Sequence, residues 1–596
     1  MNYIDSYNFA KHSPKAFWSE QAKNIDWIIP PKKIYHQGRW FYDGVMNTCF
    51  NTLDRHVING RGEQVALTYE CPSLDLRQSY SYSDMLDRAS RFAGLLQAQG
   101  VVKGDTVILH LPMMVEHVVA MLACARIGVI YSSVFVGFPV IELAKRIDHL
   151  MPKLVLTASV FLKDNEVTPL SVDIAAAKRL STHRDFSVLE FKRSNISPVP
   201  AIFPLANDYA TKYKPVPCTP LLATDPLYIL HTSGTTGDPK GIVHDNGGHA
   251  VALYWSMKHI YGLGLADTMW AASDLGWIAG HSYVVYGPML YGCQSVLFEG
   301  AANNTSIVEV IERNAVNCYF SAPTKLRQLK KRDPEGKSFL SHDISSLNGV
   351  FLAGERSDKN LMSWLQRHLD CPIVDHWWQT ETAWPITANC IGMENQAIPM
   401  GSAGKVVPGY TLRVDKNHPD DIAGEILLCQ PLPPGFFTTY WRNDAAYQAI
   451  FSNEEDTYNT GDCGYVNDGN VFIISRSDDV ICVAGSRVHV GFLEEIINRH
   501  PKVLENAVIG VTDPMKTELP LAFVVLSNEI VEVKQFQAEI DALILESAGE
   551  IGSLKALHIV EDLPKTRSGK ILRRDLQATA LQNILPAMPS TTKILA

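Results

Sequence analysis

Paired cysteines are what this chain most visibly lacks. Its eleven cysteines are scattered along 596 residues with no C-x-x-C pair. That argues against a zinc ribbon and a secreted disulfide framework, and favours reduced thiols in a cytosolic protein. Positive charge is not in surplus either: 53 Lys and Arg face 63 Asp and Glu, a net charge of −10 without a basic stripe. Nucleic acid is therefore not an expected partner. No apolar run reaches membrane-spanning length, so no membrane partner is expected. The start, Met1-Asn-Tyr-Ile-Asp-Ser-Tyr-Asn-Phe-Ala10, has an acidic residue and no basic region before an apolar core. It does not read as a signal peptide, and the expected location is the cytoplasm. Internal repeats are absent as well.

What is present is an ordinary globular composition, 46% hydrophobic and 19% charged, in a chain long enough for two or more domains. From about Val65 onward, helix-period and strand-period segments alternate. Met85, Leu86, Ala89, Phe92, Ala93 and Leu96 make one helical face, with Ser83 as its expected cap and Gly100 as its end. Thr106–His110 reads as a buried strand, Val115–Ile127 as a helix stopped by Gly128, and Val129–Phe135 as the next strand. The beat returns at Ile307–Asn314, Val316–Phe320, Lys325–Lys331 and Gly349–Leu352. Alternation of this kind predicts an α/β fold with parallel, helix-covered sheets. Past Val471–Ile474, strands and helices continue through Val533–Glu546 as a compact α+β unit of domain size.

One stretch stands out chemically: His231-Thr-Ser-Gly-Thr-Thr-Gly-Asp-Pro-Lys-Gly241. Its glycines permit positive φ and close approach to a ligand. Successive N–H groups there make an anion site. Thr232, Ser233, Thr235 and Thr236 add hydroxyls, Gly234 and Gly237 the turn, and Lys240 a point charge. This is phosphate-cradle chemistry but not a Walker motif, because no Gly-Lys-Ser/Thr closes it. By itself the run also suits a solvated loop.

Tyr228–Gly241 resembles the signature loop of the AMP-forming acyl-CoA synthetase (adenylate-forming ligase) superfamily. Further segments match in order: Asp274-Leu-Gly-Trp-Ile-Ala-Gly-His-Ser282, Gly354-Glu355, Asp375-His-Trp-Trp-Gln-Thr-Glu381, Tyr458-Asn-Thr-Gly-Asp462 and Pro564-Lys-Thr-Arg-Ser-Gly-Lys570. The resemblance runs from about Phe17 to about Arg574. Phe17-Trp18, Ile25-Asp-Trp27, Arg39-Trp-Phe41 and Asn47–His56 resemble the acetyl/propionyl-CoA synthetase branch. Asn246-Gly-Gly-His249 and Trp384-Pro-Ile386 lean toward its propionyl-type members.

The resemblance implies a large N-terminal adenylation domain, 1–475, whose first 60 residues are particular to the branch. It also implies a small mobile C-terminal domain, 476–596, pivoting at Asp478. ATP, Mg²⁺ and CoA are the implied co-substrates and cofactor, and a short carboxylic acid the substrate. Lys570 is implied as the catalytic lysine of adenylation, Glu381 as the Mg²⁺ ligand, and Thr380 as facing the α-phosphate. Asp462 and Arg476 are implied at the ribose; Gly354, Glu355, Arg356, Asp375, His376, Trp377 and Gln379 complete the nucleotide site. Trp378, Ile278, Ala279 and Ala353 are implied as the acyl pocket, and Gly485, Ser486 and Arg487 as the CoA contacts. Taken without the family, Lys570 reads as a surface lysine, Asp462 as a turn aspartate and Trp378 as a core aromatic. Enzymes that acylate and deacylate a lysine in the position of Lys570 are implied partners.

The chemistry fits these parts. A carboxylate becomes electrophilic once joined to the α-phosphate of ATP, and the transition state needs cations and oriented N–H donors rather than a protein nucleophile. Where acetate users carry valine and threonine, this chain has Ala353 and Ala279. Two alanines leave room for about one more methyl group, worth roughly 1–3 kcal/mol, so propionate is expected ahead of acetate. Departures cluster on the thioester side: Cys482 for Asn, Ser486 for His, Ser475 for Gly, Val136 within a Gly-Gly-Phe, and Ala548 near an expected arginine. Val160–Ala176 is expected to lack the basic residues that touch the CoA nucleotide. Arg356 and Ala383 are milder changes. Two alternatives follow: transfer of the acyl group to a non-CoA thiol acceptor, or nucleotide binding without catalysis.

Overall fold

The computed structural model describes residues 1–163, 166–233, 239–300, 307–355, 357–394, 396–397, 399–416, 423–451, 456–477, 479–483, 486–513, 515–527, 532–565 and 571–584. At Ser233, Ser486 and Arg487 only the backbone is described. No helix among the described residues is long and apolar enough to cross a membrane.

Helices and strands fall close to where periodicity puts them. Thr106–His110, Val115–Ile127 and Gly349–Leu352 match their expected bounds. Gly128 takes φ 73° after the helix Val115–Ile127, the left-handed turn that a side chain disfavours. Other bounds shift. The helix Tyr82–Ala98 is capped by Ser81, not Ser83, because Ser81 and Asp84 satisfy each other's backbone N–H in a capping box. The strand expected to end at Ile474 runs on as Asn470–Arg476. Ser475 and Arg476 pair there with Cys463 and Asp462 across the ladder.

Two mostly parallel sheets form the large N-terminal part. One has the order Ser187–Phe191, Leu154–Ala158, Thr106–His110, Ile130–Ser133, Pro226–Ser233, Pro239–Asp245, Thr439–Tyr440. The other runs Ile373–Asp375, Gly349–Leu352, Cys318–Ser321, Thr268–Ala271, Gln294–Phe298, Val65–Cys71, Leu76–Ser81. A third, antiparallel sheet carries Thr457–Asn467 and Asn470–Arg476 at its centre. Near the C-terminus, Thr517–Leu526 pairs with Val503–Asp513, Val480–Val483 and Ala556–Ile559. Helices Val490–Ile497 and Val533–Ala548 pack on these strands around their own buried cluster of Leu493, Ile496, Phe536 and Ile540. The two large parts therefore have separate apolar cores.

The N-terminal segment docks through aromatics. Trp18 is fully buried and meets Phe17, Trp40, Trp255 and Trp384 with ring centroids 5.0, 6.3, 6.3 and 5.9 Å away. Edge-to-face pairs of this kind add about 0.5–1.5 kcal/mol each beyond burial. The Trp40 indole donates to the Leu432 carbonyl at 2.8 Å, joining residues far apart in the chain.

Candidate active site

Strands Thr268–Ala271, Cys318–Ser321, Gly349–Leu352 and Ile373–Asp375 run parallel in adjacent places. Their C-terminal ends therefore share one edge, the edge at which α/β sheets hold ligands. Each runs into a segment that lines a single cavity of about 1070 Å³: Ser273 and Asp274, Thr324 and Lys325 in the first turn of the helix Pro323–Arg332, Ala353 to Glu355, and His376 to Thr380. Asp462 and Ile473 to Arg476 close it from the antiparallel sheet, and Asp562, Leu563 and Lys565 from the C-terminal part.

The residues that the resemblance implies for the acid meet on this wall. Ile278, Ala279, Ala353 and Trp378 all line the cavity. The Trp378 ring packs 5.5 Å from Tyr283 and 6.2 Å from Phe320, which fixes the indole against the core. Its Nε1 has no hydrogen-bond partner among the described residues. His376 behind it is neutral: burial pushes its pKa down to about 4, and its Nδ1 and Nε2 meet the Leu352 carbonyl at 2.7 Å and the Tyr261 hydroxyl at 3.0 Å.

Asp462 is a strand residue, not the turn aspartate its sequence setting allows. Its Oδ2 accepts from Gln379 Nε2 at 2.6 Å and Trp377 Nε1 at 3.2 Å, and Arg476 Nη1 lies 3.3 Å away. Burial raises its pKa, while Arg476, Gln379 and Trp377 act the other way. Gln379 is itself fixed, since its Oε1 accepts from the Tyr458 hydroxyl at 3.0 Å. Glu355 lines the cavity but is held by the Thr324 hydroxyl and by Arg327 at 2.6 Å. Gly354 takes φ 91° at the end of its strand, so this turn needs glycine.

The phosphate-cradle stretch forms an antiparallel hairpin in which Thr232 pairs with Lys240 and Ser233 with Pro239. Its tip, Gly234, Thr235, Thr236 and Gly237, lies outside the described residues. So do Arg356, Asp478, Gly485 and Lys570. Ser486 and Arg487 sit in the strand Ser486–His489, opposite Val483 and Cys482. Thr232, Lys240 and Glu381 do not line the cavity themselves. Lys240 lies 5.7 Å from the Tyr440 ring centroid. Glu381 follows the lining residue Thr380, and burial raises its pKa against the opposing charges of Arg476 and Lys240. A buried carboxyl group thus sits beside the cavity, its charged form favoured against burial by its own backbone N–H and by the charges of Arg476 and Lys240.

Sequence reasoning missed Lys325. It lines the cavity, donates to the Ala272 carbonyl at 2.6 Å, and burial pushes its pKa down to about 8 with Asp274 acting against. It reads in sequence as one of several basic residues on an amphipathic helix, and no local signal separates it from them. The expected absence of basic residues in Val160–Ala176 also needs correction, because Lys163 stands on the cavity wall. Ala548 ends the helix Val533–Ala548, and its Cβ lies 2.7 Å from where a side chain on Gly552 would begin.

The fold and the cavity at this sheet edge are those of a ligand-binding α/β enzyme, and the comparisons with known proteins identify it as an AMP-forming ligase. The chain belongs to the AMP-binding enzyme family, whose model matches residues 54–441, with the AMP-binding enzyme C-terminal domain at 493–570. The acetyl-coenzyme A synthetase N-terminus matches residues 3–52 and places it among the short-chain acyl-CoA synthetases of acetyl/propionyl type. Enzymes of this family use ATP, Mg²⁺ and CoA. The chain is 40% identical to the mitochondrial acyl-CoA synthetase short-chain family member 3 of Mus musculus, over 95% of this chain and 86% of that one. It is 35% identical to the propionate–CoA ligase of Salmonella typhimurium, over 97% and 96%. The acetoacetyl-CoA synthetase of Streptomyces lividans has the same fold, with a TM-score of 0.85 at 19% identity, over 96% of this chain and 89% of that one.

Proposed function

We propose that this chain is a propionate–CoA ligase that accepts acetate as its second substrate. The observation that carries the reading is the shared wall. Ala353, Ala279 and Trp378 line the same cavity as Asp462 and Arg476, so a pocket for a short acid would open beside the nucleotide site. The tryptophan caps the acid's length, and the two alanines leave space for one methyl group beyond acetate. One methylene is worth roughly 10–200-fold in kcat/KM.

The reaction has two steps. Asp462 takes the ribose diol, since an ionised carboxylate is acceptor-only, and Arg476 keeps it ionised. Gly354, Glu355 and Asp375–Trp377 bound the adenine. The acid's oxygen attacks the α-phosphorus, Lys570 neutralises the charge gathered there, and pyrophosphate leaves. Glu381 fits Mg²⁺: a buried carboxylate with no ion pair in contact among the described residues gains from a hard divalent cation. Bound there, Mg²⁺ would supply charge neutralisation at the phosphates. The small domain, 476–596, then turns about Asp478 and withdraws Lys570. Gly485, Ser486 and Arg487 take its place, and the CoA thiol attacks the acyl carbon with AMP as leaving group. The reading places the enzyme in the cytoplasm, and enzymes that acylate and deacylate Lys570 among its partners.

A second reading, transfer to another thiol acceptor, draws on Ala548. That residue packs against Gly552 at the end of its helix, where an expected arginine would carry charge toward CoA. The deciding experiment is AMP release with ATP, Mg²⁺ and propionate, with and without CoA, alongside acetate and butyrate. Fast CoA-dependent turnover with propionate ahead supports the ligase. Adenylate formation that CoA does not accelerate moves the search to a different thiol, and acetate ahead of propionate refutes the pocket argument.

A further inference from the structure

Away from the active site, two cysteines remote in sequence meet. Cys49 opens the helical turn Phe50–Asp54, and Cys218 lies in the loop before the strand Leu221–Leu222. The two sulfurs and an Asp54 oxygen lie within 4.8 Å of one another. Arg126, at the end of the helix Val115–Ile127, grips Asp54 with Nη1 at 2.8 Å and Nη2 at 3.0 Å. The same Nη1 is 3.6 Å from Cys49 Sγ. Cys218 Sγ is 3.8 Å from Asp54 Oδ2. Cys49 is fully buried, and Cys218 is half-buried in front of it.

Three donors so close resemble a metal site, but Arg126 already compensates both anions. A cation would sit against a fixed guanidinium, so the group suits thiol chemistry better. Two neighbouring thiols, one beside a guanidinium and the other beside a carboxylate, are a pair of unequal acidity. Burial works against a Cys49 thiolate, but the hydrogen bond from Cys218 and the Arg126 charge overcome it and hold its pKa below that of a free thiol. The Cys218 thiol is raised by donating that hydrogen bond and by burial. Thiolate character governs reactivity at sulfur.

We propose that Cys49 and Cys218 are an oxidation site at which a hydroperoxide closes a reversible disulfide. The Cys49 thiolate attacks a peroxide oxygen, the O–O bond breaks, and a sulfenic acid forms on Cys49. The departing hydroxide takes the Cys218 thiol proton, giving water and a Cys218 thiolate. That thiolate then attacks the Cys49 sulfur; the S–S bond forms, the S–O bond breaks, and hydroxide leaves to take a solvent proton as the second water. The pair loses two electrons and the peroxide gains them. The sulfurs must close to about 2.05 Å. The bond ties the N-terminal segment to the loop ahead of Leu221. Asn47 already fastens these parts, donating to the Arg126 and Thr219 carbonyls at 2.9 and 2.8 Å.

The test treats the full-length protein with hydrogen peroxide, alkylates the remaining thiols, and maps peptides by mass spectrometry. Exposed Cys482 serves as the control that the oxidant is active. The expected result is a linked pair of peptides carrying Cys49 and Cys218, two hydrogens lighter and separated by dithiothreitol. Cys218→Ala abolishes the link and leaves Cys49 to proceed to sulfinic acid; Cys49→Ser abolishes it and leaves Cys218 a free thiol. The proposal is overturned if Cys482 oxidises while both cysteines keep free thiols, or if Cys49 overoxidises in the unaltered protein without a link. Stoichiometric zinc in the purified protein, lost in Cys49→Ser, would overturn it in favour of a metal site.

Discussion

Arg476 stands directly opposite Asp462 in the antiparallel ladder, with its Nη1 3.3 Å from the carboxylate oxygen. Burial raises the pKa of this carboxylate, and the guanidinium is the first influence that opposes it. Removing Arg476 leaves the burial and takes away the compensation. Arg476→Met should therefore move the acid limb of kcat/KM for ATP to higher pH. Asp462→Asn keeps the shape and removes the charge; loss of charged hydrogen bonds to the ribose, at about 1.5–3 kcal/mol each, should raise the KM for ATP at least tenfold. A pH–rate profile for each variant checks both, and an unmoved acid limb in Arg476→Met would detach Asp462 from the ionisation that matters.

The acyl pocket gives the specificity prediction. Ala353 is 7% exposed and borders the cavity together with Ala279 and Trp378. Ala353→Val fills about the volume of the extra methyl group. Propionate kcat/KM should fall by about 10-fold or more while acetate changes little, as expected for one methylene in an apolar pocket. Paired kinetics on the two acids measure it. Equal losses for both would show that the valine disturbs the shared wall and not the reach of the pocket.

The fold was largely legible, because short-range periodicity decides where helices and strands lie. Val115–Ile127 and Gly349–Leu352 fall on their expected bounds, and the missed details are local competitions. Ser81 outbids Ser83 as a cap because Asp84 stands three residues after it. Arg476 stays in its strand because Asp462 lies across from it. The acyl wall became legible only through resemblance, since nothing in the spacing of Ile278, Ala353 and Trp378 brings them together. Lys325 and the Cys49–Cys218 contact were not legible. Each depends on loops meeting at sheet edges or helix ends, which a single sequence does not encode locally.

Lys325 makes stability depend on pH. Burial lowers its pKa from 10.5 to about 8. Between those values the unfolded chain binds more protons than the folded one, so stability should climb with pH through that window. Below pH 8 both states are protonated and the full penalty stands, at most about 3 kcal/mol at 1.36 kcal/mol per unit. Lys325→Met should thus stabilise the protein at pH 7, less the loss of the bond to the Ala272 carbonyl, and change little near pH 10.5. Urea unfolding at both values checks this. A destabilised variant at pH 7 would mean that Asp274 supports the ammonium more than burial opposes it.

The C-terminal part touches the large part through contacts that a rotation would have to break. Lys359 Nζ lies 3.0 Å from Glu495, and the Asn360 side-chain amide donates to the Asn498 carbonyl at 2.5 Å. Lys565, paired with Glu505 at 2.6 Å, meanwhile lines the cavity five residues before Lys570. If this arrangement is the one that adenylates, weakening it should slow the first step and spare the second. Lys359 is about half exposed, so the pair is worth at most about 1 kcal/mol. Lys359→Glu adds repulsion and should slow acid-dependent pyrophosphate release by roughly two- to fivefold on that scale. The rate at which supplied propionyl-adenylate reacts with CoA should hold. Adding Glu495→Lys should restore the first step, because the pair is then reversed rather than broken. Lys570→Ala sets the limit of the same series: adenylation lost, thioester formation from supplied adenylate kept. Both half-reactions failing together in Lys570→Ala would rule out two arrangements dividing the work, and an unrestored double variant would show that Lys359 acts through something other than Glu495.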